Sequence, residues 1–225
     1  MFRKIFTIAI ALLGTLWIFG QESPKFSVRN LASLPAQSGQ ERALGYAGMM
    51  GGTHQGVIIA AGGANFPDAH PWEGGKKKWS NAIYILKDSI WQLSGTTLPF
   101  PLAYGASLNL PQGILCVGGN NREKSSDAVF LLAYNKNNSD IGIVDYPSLP
   151  EPLSYTAAVS NGDYIYVIGG INNGKSTNAF YRLNTKTKTS WERLPDFPGA
   201  PRALHTAVVQ EASEAKKDIC HWRKE

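Results

Sequence analysis

Paired glycines recur through this sequence at nearly equal spacing, and each pair ends a short apolar run. The runs read GVIIAAGG at residues 56–63, GILCVGG at 113–119 and DYIYVIGG at 163–170. The first glycines of the pairs, Gly62, Gly118 and Gly169, are 56 and 51 residues apart. A period in this range indicates a repeat architecture in which each repeat is one supersecondary unit.

Each repeat contains signals for four short strands. An apolar stretch precedes each glycine pair, at residues 46–50, 104–110 and 155–160, and a matching strand follows it as NAIYIL, DAVFLL or NAFYRL. The segments WQL at 91–93 and WERL at 191–194 complete the first and third units. This order is typical of the kelch β-propeller, where glycines permit close backbone approach and aromatic residues fill the space between blades. A β-sandwich is the alternative, but it does not require recurrent glycine pairs, so we predict an all-β, kelch-type propeller over residues 46–209.

The repeat restarts once more and is then interrupted. FPGAPRALHTAVV at residues 197–209 opens a further unit, which gives about three and a half blades, whereas propellers close with four to eight. Plausible codons for residues 217–224, shifted by one base, encode Lys-Ile-Tyr-Val-Ile-Gly-Gly, which is the missing strand and glycine pair. We therefore interpret residues 210–225 as an aberrant tail produced by a frameshift, with a genuine divergent C-terminus as the alternative.

The N-terminus has the pattern of a secretory signal peptide. Arg3 and Lys4 precede an apolar stretch over residues 5–19, and Gly20 offers a small residue for cleavage. The stretch is short for a bilayer span, so a membrane anchor is the less favoured alternative. We predict a signal peptide over residues 1–20, a linker and a strand completing the blade ring over 21–45, and a periplasmic or secreted protein without membrane attachment after cleavage.

Charge and cysteine content exclude several classes of function. When the signal and the residues after Val209 are left out, the chain has 16 Lys and Arg and 13 Asp and Glu. This excess of positive charge is too small and too scattered to predict nucleic-acid binding. Cys116 lies in an apolar run and Cys220 in the tail, so we predict a buried structural thiol and no disulfide. No cofactor motif is present, and the histidines lack the spacing of metal ligands, so we predict neither a cofactor nor a metal site.

Candidate ligand-binding residues follow from blade connectivity. The loop between the second and third strands lies on the same face as the connection between blades, so the segments after the glycine pairs and around the prolines should surround one funnel. Asn65, Asn121 and Asn172 each stand three residues past a first glycine, and such amides can hydrogen-bond a polyhydroxylated ligand or serve only as turn residues. Arg202 is a candidate for binding a carboxylate, or else forms a structural ion pair. Arg122 could support it, or else is a solvated loop charge.

The first unit carries a long insertion. The distance along the chain from its first paired glycine to the start of the next strand is 19 residues, whereas it is 9 residues in each of the other two units. Long loops in compact domains are often functional, so we expect this one to overhang the funnel. Glu73 is a candidate acid or base there, and the lysines at 76–78 could attract an anion or form a solvated surface.

Residues 45–86, which include EGGKKKW, and PLAYGASLNLPQGILCVGG at 101–119 resemble the N-acetylneuraminate epimerases, or sialic acid mutarotases. The resemblance extends from about Leu31 to Val209, in the segment order of a circularly permuted branch. It implies a secreted propeller of six blades that interconverts the α and β anomers of a sugar acid. The family's catalytic glutamate follows a strand glycine, whereas these positions read GGAN, GGNN and GGIN, so the catalytic residue stays unknown.

Two functions from different classes remain open. One is a sialic acid mutarotase, of which this chain is an inactive or weak fragment. The other is a secreted kelch propeller that binds a glycan or protein without chemistry. A small sugar acid is the expected partner, and open propeller edges would favour self-association.

Overall fold

The computed structural model describes residues 27–28, 30–36, 41 and 43–210. The chain divides into two compact units, Met1–Leu31 and Ala32–Glu225, and the second contains every strand of the described residues. The predicted signal peptide and residues 211–225 of the predicted tail lie outside the described residues. Residues 27–28, 30–36, 41 and 43–45 form no strand, so the described part of the predicted 21–45 segment contains no strand that would complete a blade.

Fourteen strands and a one-turn 3-10 helix at Pro71–Glu73 make up the secondary structure of the described residues. The strands are β1 Met50–His54, β2 Val57–Ala61, β3 Ala64–Asn65, β4 Lys78–Trp79, β5 Ile83–Lys87, β6 Ile90–Leu93, β7 Ala106–Leu110, β8 Gly113–Val117, β9 Val129–Asn135, β10 Asp140–Tyr146, β11 Ala157–Asn161, β12 Tyr164–Asn172, β13 Lys175–Asn184 and β14 Glu192–Leu194. None of the described residues forms a helix long and apolar enough to span a membrane.

The strands form three four-stranded antiparallel sheets, which are three complete blades. Blade 1 has the order β1-β2-β5-β6, blade 2 the order β7-β8-β9-β10 and blade 3 the order β11-β12-β13-β14. The first strands of the blades lie side by side, since β7 contacts both β1 and β11. A separate two-stranded ribbon, β3-β4, belongs to the insertion of the first unit. The predicted all-β architecture of repeated four-stranded units is therefore confirmed.

The first strand of blade 1 starts later than the sequence predicts. The apolar stretch at residues 46–50 is not the strand; β1 begins at Met50 and continues through two glycines to His54. Ala47 instead forms an isolated bridge with Ala64, and Gly48 has a φ of 67°, which turns the chain before the strand. Apolar residues around Tyr46 therefore belong to the segment that leads into blade 1.

The first glycine of each pair makes close packing between blades possible. Gly62, Gly118 and Gly169 all have positive φ, between 55° and 69°. A Cβ on Gly118 would overlap the carbonyl oxygen of Leu153, which lies in the segment leading to the next blade. The N–H of Gly119 donates a hydrogen bond to that same carbonyl at 2.8 Å. Only glycine combines this backbone conformation with this contact.

A chain of backbone hydrogen bonds links the blades at their inner ends. The N–H of Tyr104 donates to the carbonyl of Gly48 at 2.8 Å, Tyr155 to Tyr104 at 2.8 Å, and Leu204 to Tyr155 at 3.1 Å. All four residues have a φ between 53° and 67°, so the same turn recurs once per unit. Leu204 takes the fourth place in this series, which extends the repeat beyond blade 3.

The further unit that FPGAPRALHTAVV at 197–209 was expected to open contributes no strand, since residues 205–209 are not in strand conformation. The first strand of a blade pairs with the second strand of the same blade. The second strand of this unit would have to come from residues after Val209, most of which lie outside the described residues. The fourth unit is therefore present as a turn and a connection, without a paired strand.

Two apolar clusters hold the three blades together. The first lies between blades 1 and 2 and includes Ile59, Ile83 and Cys116. Cys116 is a free thiol within that cluster, and its complete burial raises the thiol pKa far above its ordinary value, which fits the predicted structural role. The second lies between blades 2 and 3 and includes Tyr181 and Trp191, whose indole N–H donates to the carbonyl of Pro147 at 2.7 Å.

Candidate functional site

The loops after the glycine pairs meet the proline-containing connections at one edge of the blades. Ala103 and Asn120 exchange backbone hydrogen bonds of 2.9 and 2.7 Å, and Ser154 and Ile171 exchange bonds of 2.9 and 2.7 Å. The structure thus places the two kinds of segment on one face, as blade connectivity predicts. We call this face the loop face.

A cleft with a volume of about 380 Å³ opens on the loop face between blades 1 and 2. We call it the cationic cleft, and its walls are formed by Lys77, Lys78, Trp79, Pro101, Asn121, Arg122 and Glu123. Three cationic side chains and a single carboxylate line it. Lys78 pairs with Asp68 at 3.1 Å, whereas within the described chain no ion pair is formed by Lys77 or Arg122. This arrangement favours an anionic ligand.

The insertion of the first unit forms one wall of this cleft. Its two ends pair as the β3-β4 ribbon, in which Ala64 faces Trp79 and Asn65 faces Lys78. The indole N–H of Trp79 donates to Oδ1 of Asn120 at 3.0 Å and so fixes the ribbon against blade 2. The loop is therefore attached to its neighbouring blade at the base of the cleft.

Lys77 connects the insertion to the inner ends of the blades. Its Nζ lies 4.2 Å from the ring centroid of Tyr104 and 5.1 Å from that of Trp79. Tyr104 in turn packs against Tyr155 with the rings tilted by 30° and their centroids 4.7 Å apart. The aromatic faces attract the ammonium group without neutralising its charge. The insertion therefore contacts the connection to blade 2 through Lys77, and its place over the funnel stays a prediction.

The three predicted asparagines have different surroundings. Asn121 lines the cationic cleft, but its Oδ1 accepts the N–H groups of Glu123 and Lys124 and so fixes the turn. Asn172 donates from Nδ2 to Oε2 of Glu151 at 2.7 Å. The Nδ2 atom of Asn65 is buried and has no hydrogen-bond partner within the described part of the chain. Two of the three amides are therefore engaged by protein groups, and their shared role in ligand binding stays a prediction.

Of the predicted charged residues, Lys77, Lys78 and Arg122 line the cationic cleft, whereas Glu73, Lys76 and Arg202 line neither cleft. Glu73 caps its own 3-10 helix, since its Oε2 accepts the N–H of His70 at 3.1 Å, and its side chain is exposed. Arg202 folds back on its own segment, where its Nε donates to the carbonyl of Ala200 at 3.2 Å and its guanidinium lies 5.2 Å from the ring centroid of Phe197. The roles of these residues in binding stay predictions.

Glu123 was missed because it stands five residues after Gly118, outside the three-residue offset on which the asparagines were selected. That offset selects equivalent positions just after each strand. The turn that follows, fixed by the Asn121 side chain, places Arg122 and Glu123 next to each other in the wall of the cleft. Among the described residues, no group of three or more His, Cys, Asp and Glu side chains is placed to bind a metal ion.

A second cleft, with a volume of about 510 Å³, lies on the loop face between blades 2 and 3. We call it the polar cleft; it is lined by Phe100, Asn121, Lys124, Ser125, Ser126, Asp127, Pro152 and Asn173. Asn121 belongs to both clefts, so they are adjacent. The polar cleft has one lysine and one aspartate and therefore no excess of either charge.

A carboxylate that the sequence did not single out lies beside the polar cleft. Glu151 accepts the Tyr181 hydroxyl at 2.6 Å, and Arg193 lies 3.2 Å from that hydroxyl. Burial and the hydrogen bond to the Glu151 carboxylate raise the pKa of Tyr181 from 10.0 to about 12. Glu151 stands just before Pro152 in the connection between blades, and no local pattern predicts its partners 21 and 30 residues away.

The raised pKa of Tyr181 predicts a loss of stability at high pH. The folded state retains the phenol proton more tightly than the unfolded state, so this contribution is complete below about pH 10 and is lost as pH rises toward 12. Urea unfolding between these pH values should show a shallower decline in unfolding free energy for Tyr181→Phe than for the wild type. Tyr164→Phe, the control, should decline as the wild type does. Equal slopes for Tyr181→Phe and the wild type would contradict this assignment.

Comparison with known proteins identifies the family. The N-acetylneuraminate epimerase family model matches residues 17–141, which is more than half of the chain, and a kelch motif matches residues 152–198. The chain belongs to the N-acetylneuraminate epimerase family. It is 36% identical over 137 residues to the N-acetylneuraminate epimerase of Vibrio cholerae serotype O1, covering 56% of this chain and 34% of the relative. It is 37% identical over 119 residues to that of Vibrio vulnificus, covering 48% and 31%.

A solved structure of YjhT supports the propeller fold. It superimposes with a TM-score of 0.56 and 13% sequence identity, covering 69% of this chain and 54% of that chain. This epimerase-family chain spans about a third of the length of the curated relatives it matches. The predicted kelch-type propeller and the predicted family are therefore confirmed.

Proposed function

We propose that the chain binds N-acetylneuraminate in the cationic cleft and that the protein interconverts the α and β anomers of this sugar. The observation that carries the proposal is the pair of cations, Lys77 and Arg122, that line the cleft without an ion-pair partner among the described residues. Membership in the epimerase family and the identity to epimerases of two Vibrio species support it.

The carboxylate of the sugar acid would bind to Arg122, whose guanidinium can donate two parallel hydrogen bonds. Lys77 would add a second positive charge from the opposite wall of the cleft, contributed by the insertion. A polyhydroxylated ring has further donors and acceptors available from Asn121 and the surrounding backbone. The carboxylate thereby places the adjacent anomeric carbon close to the loop that carries Glu123.

Anomer exchange requires one proton to move and one bond to break and re-form. A base removes the proton of the anomeric hydroxyl, the bond between the anomeric carbon and the ring oxygen breaks, and the ring oxygen takes up a proton. The resulting hydroxyl then adds to the other face of the carbonyl carbon, loses its proton to the base, and the carbonyl oxygen takes up a proton to become the new anomeric hydroxyl, so no atom is gained or lost. Glu123 lines the cleft next to Arg122, and a carboxylate can perform both proton transfers.

Proton NMR of freshly dissolved α-anomer with the full chain tests this activity. We expect β-anomer to appear faster than in buffer, and Glu123→Gln to lower the acceleration about 100-fold because general acid–base catalysis is lost. Asp145→Asn, which removes an exposed carboxylate from the outer strand of blade 2, should leave the rate unchanged. A wild-type rate equal to that of buffer would refute catalysis by this chain.

Binding without catalysis is the second candidate function. The positions directly after the glycine pairs are Ala64, Asn120 and Ile171, so no carboxylate stands where the family resemblance places the catalytic glutamate. Calorimetric binding of N-acetylneuraminate by a chain that does not accelerate anomer exchange would support this candidate. The periplasmic or secreted location stays a prediction from residues 1–20.

Self-association through exposed apolar faces is part of the same proposal. Leu204 is 81% exposed in the connection after blade 3, and Ile58 is 41% exposed on the face of blade 1 that points away from blade 2. Burial of such residues against a second chain would be favourable. Sedimentation velocity of the full chain measures this directly, and a monomer at all concentrations would exclude it.

A further inference from the structure

The polar cleft differs from the cationic cleft in its chemistry. Lys124 and Asp127 supply one charge of each sign, and Phe100 and Pro152 supply apolar surface. Phe100 is 37% exposed, so part of its ring is open to a ligand. A lining of one aromatic face with hydrogen-bonding groups around it suits a neutral pyranose, whose C–H face packs on the ring while its hydroxyls bond to polar side chains.

Hydrogen bonds fix the wall of the polar cleft contributed by blade 3. The N–H of Ser125 donates to Oδ1 of Asn173 at 3.1 Å, and Nδ2 of Asn173 donates to Oδ1 of Asn172 at 3.2 Å. The Nδ2 atom of Asn172 in turn donates to Oε2 of Glu151 at 2.7 Å, and the other carboxylate oxygen of Glu151 accepts the Tyr181 hydroxyl. This series runs from the buried core between blades 2 and 3 to the cleft surface. A wall fixed in this way loses little conformational entropy when a ligand binds.

Ser125 also forms hydrogen bonds with the connection that leads to blade 3. Its Oγ lies 3.1 Å from Oγ of Ser154 and 3.1 Å from the carbonyl oxygen of Ile171. Both serines are buried, and the hydroxyl groups are therefore satisfied by protein atoms rather than by solvent. The polar groups left for a ligand are the charged groups of Lys124 and Asp127 and the hydroxyl proton of Ser126, whose Oγ accepts the N–H of Ala128 at 3.1 Å.

We propose that the polar cleft binds a neutral hexose joined to the sugar acid in the cationic cleft, so that the loop face also binds a sialylated saccharide. The glycosidic bond of this saccharide blocks the anomeric hydroxyl, so it is a bound ligand and not a substrate of the anomer exchange. The clefts share Asn121, and a ligand whose acidic sugar occupies the first can extend directly into the second. Since it takes the acidic sugar from the cationic cleft, this inference rests on the proposed function. The hexose site itself rests on the lining of the polar cleft.

Calorimetric titration of the full chain with N-acetylneuraminate, lactose and 3′-sialyllactose tests the inference. We expect 3′-sialyllactose to bind about tenfold more tightly than N-acetylneuraminate, since an added aromatic contact and hydrogen bonds are gained. Phe100→Ala should remove this gain and leave the affinity for N-acetylneuraminate unchanged. Phe66→Ala is the matched control, because Phe66 is also 37% exposed and lines neither cleft.

The outcomes separate the two proposals. If N-acetylneuraminate binds and 3′-sialyllactose binds no more tightly, or if the gain survives in Phe100→Ala, the hexose site is refuted and the cationic cleft stands. If N-acetylneuraminate fails to bind while lactose binds and requires Phe100, the cationic cleft is refuted and the hexose site stands. If none of the three saccharides binds, both proposals are refuted.

Discussion

Replacing Gly118 by alanine is expected to lower the free energy of unfolding by about 3 kcal/mol. Gly118 has a φ of 63°, and a Cβ at this position would overlap the carbonyl oxygen of Leu153. That carbonyl accepts the N–H of Gly119, so moving it away weakens the hydrogen bond between blade 2 and the connection to blade 3. Domains of this size are stable by only about 5–15 kcal/mol, so the loss is a large fraction of the total.

Urea unfolding of the full chain measures this loss, and Gly162→Ala provides the matched control. Gly162 has a φ of 55°, close to that of Gly118, but a Cβ there would have no neighbouring atom within 4 Å. The control should lose only the cost of the backbone conformation, about 1 kcal/mol. Equal losses in the two variants would show that contact with Leu153 does not matter and that the account of the glycine pairs is wrong.

Arg122→Ala is expected to weaken binding of N-acetylneuraminate about thirtyfold, which corresponds to about 2 kcal/mol for hydrogen bonds to a charged group. Arg122 lines the cationic cleft and has no ion pair with any described residue, so its charge is available to the ligand. Because the side chain is exposed, the variant should retain its fold. Calorimetry gives the affinity change, and added salt should reduce the wild-type affinity.

Lys136→Ala controls for the loss of one positive charge from blade 2. Lys136 lies in the turn between β9 and β10, at the opposite end of β9 from the loop that carries Arg122. Its removal lowers the net charge as Arg122→Ala does and should leave the affinity nearly unchanged. If both variants weaken binding equally, the attraction comes from overall charge rather than from the cleft.

The fold was predictable from the sequence because the glycine pairs report a backbone constraint that recurs at fixed offsets. Each first glycine has the same φ region and the same close approach to the following connection, so its position in the sequence marks its position in the blade. The start of β1 was not predictable in this way. The apolar residues near Tyr46 look like a strand, but the turn at Gly48 depends on its bond to Tyr104 from the next unit.

The sequence predicted the face of the molecule on which the clefts lie but not the side chains that line them. Blade connectivity places the loops after the glycine pairs next to the connections, and the structure agrees. Which side chains line the clefts depends on contacts between distant segments, such as Trp79 with Asn120, which are 41 residues apart. Glu73 has the right chemistry for an acid or base, yet its capping bond to His70 employs the carboxylate locally. The chemical type of a residue alone could not show whether its side chain lines a cleft or is used in a local hydrogen bond.

The fourth unit also follows the repeat in its backbone while its side chains differ from those of the earlier units. Its connection keeps the hydrogen bonds of the repeat, since Arg202 donates to the carbonyl of Thr177 at 3.2 Å and accepts from Gly170 at 2.9 Å. The equivalent positions in the earlier connections are the buried Leu102 and Leu153. Arg202 therefore follows the repeat in its backbone and departs from it in its side chain, which made it conspicuous in the sequence.

The most direct test of the central claim is calorimetric titration of the full chain with N-acetylneuraminate and, in parallel, with its methyl ester, which lacks the negative charge. If Lys77 and Arg122 bind the carboxylate, the acid should bind at least about thirtyfold more tightly than the ester, and Arg122→Ala should remove most of the difference. Equal affinities for acid and ester, or no binding of the acid, would contradict the claim that the cationic cleft is a site for this sugar acid.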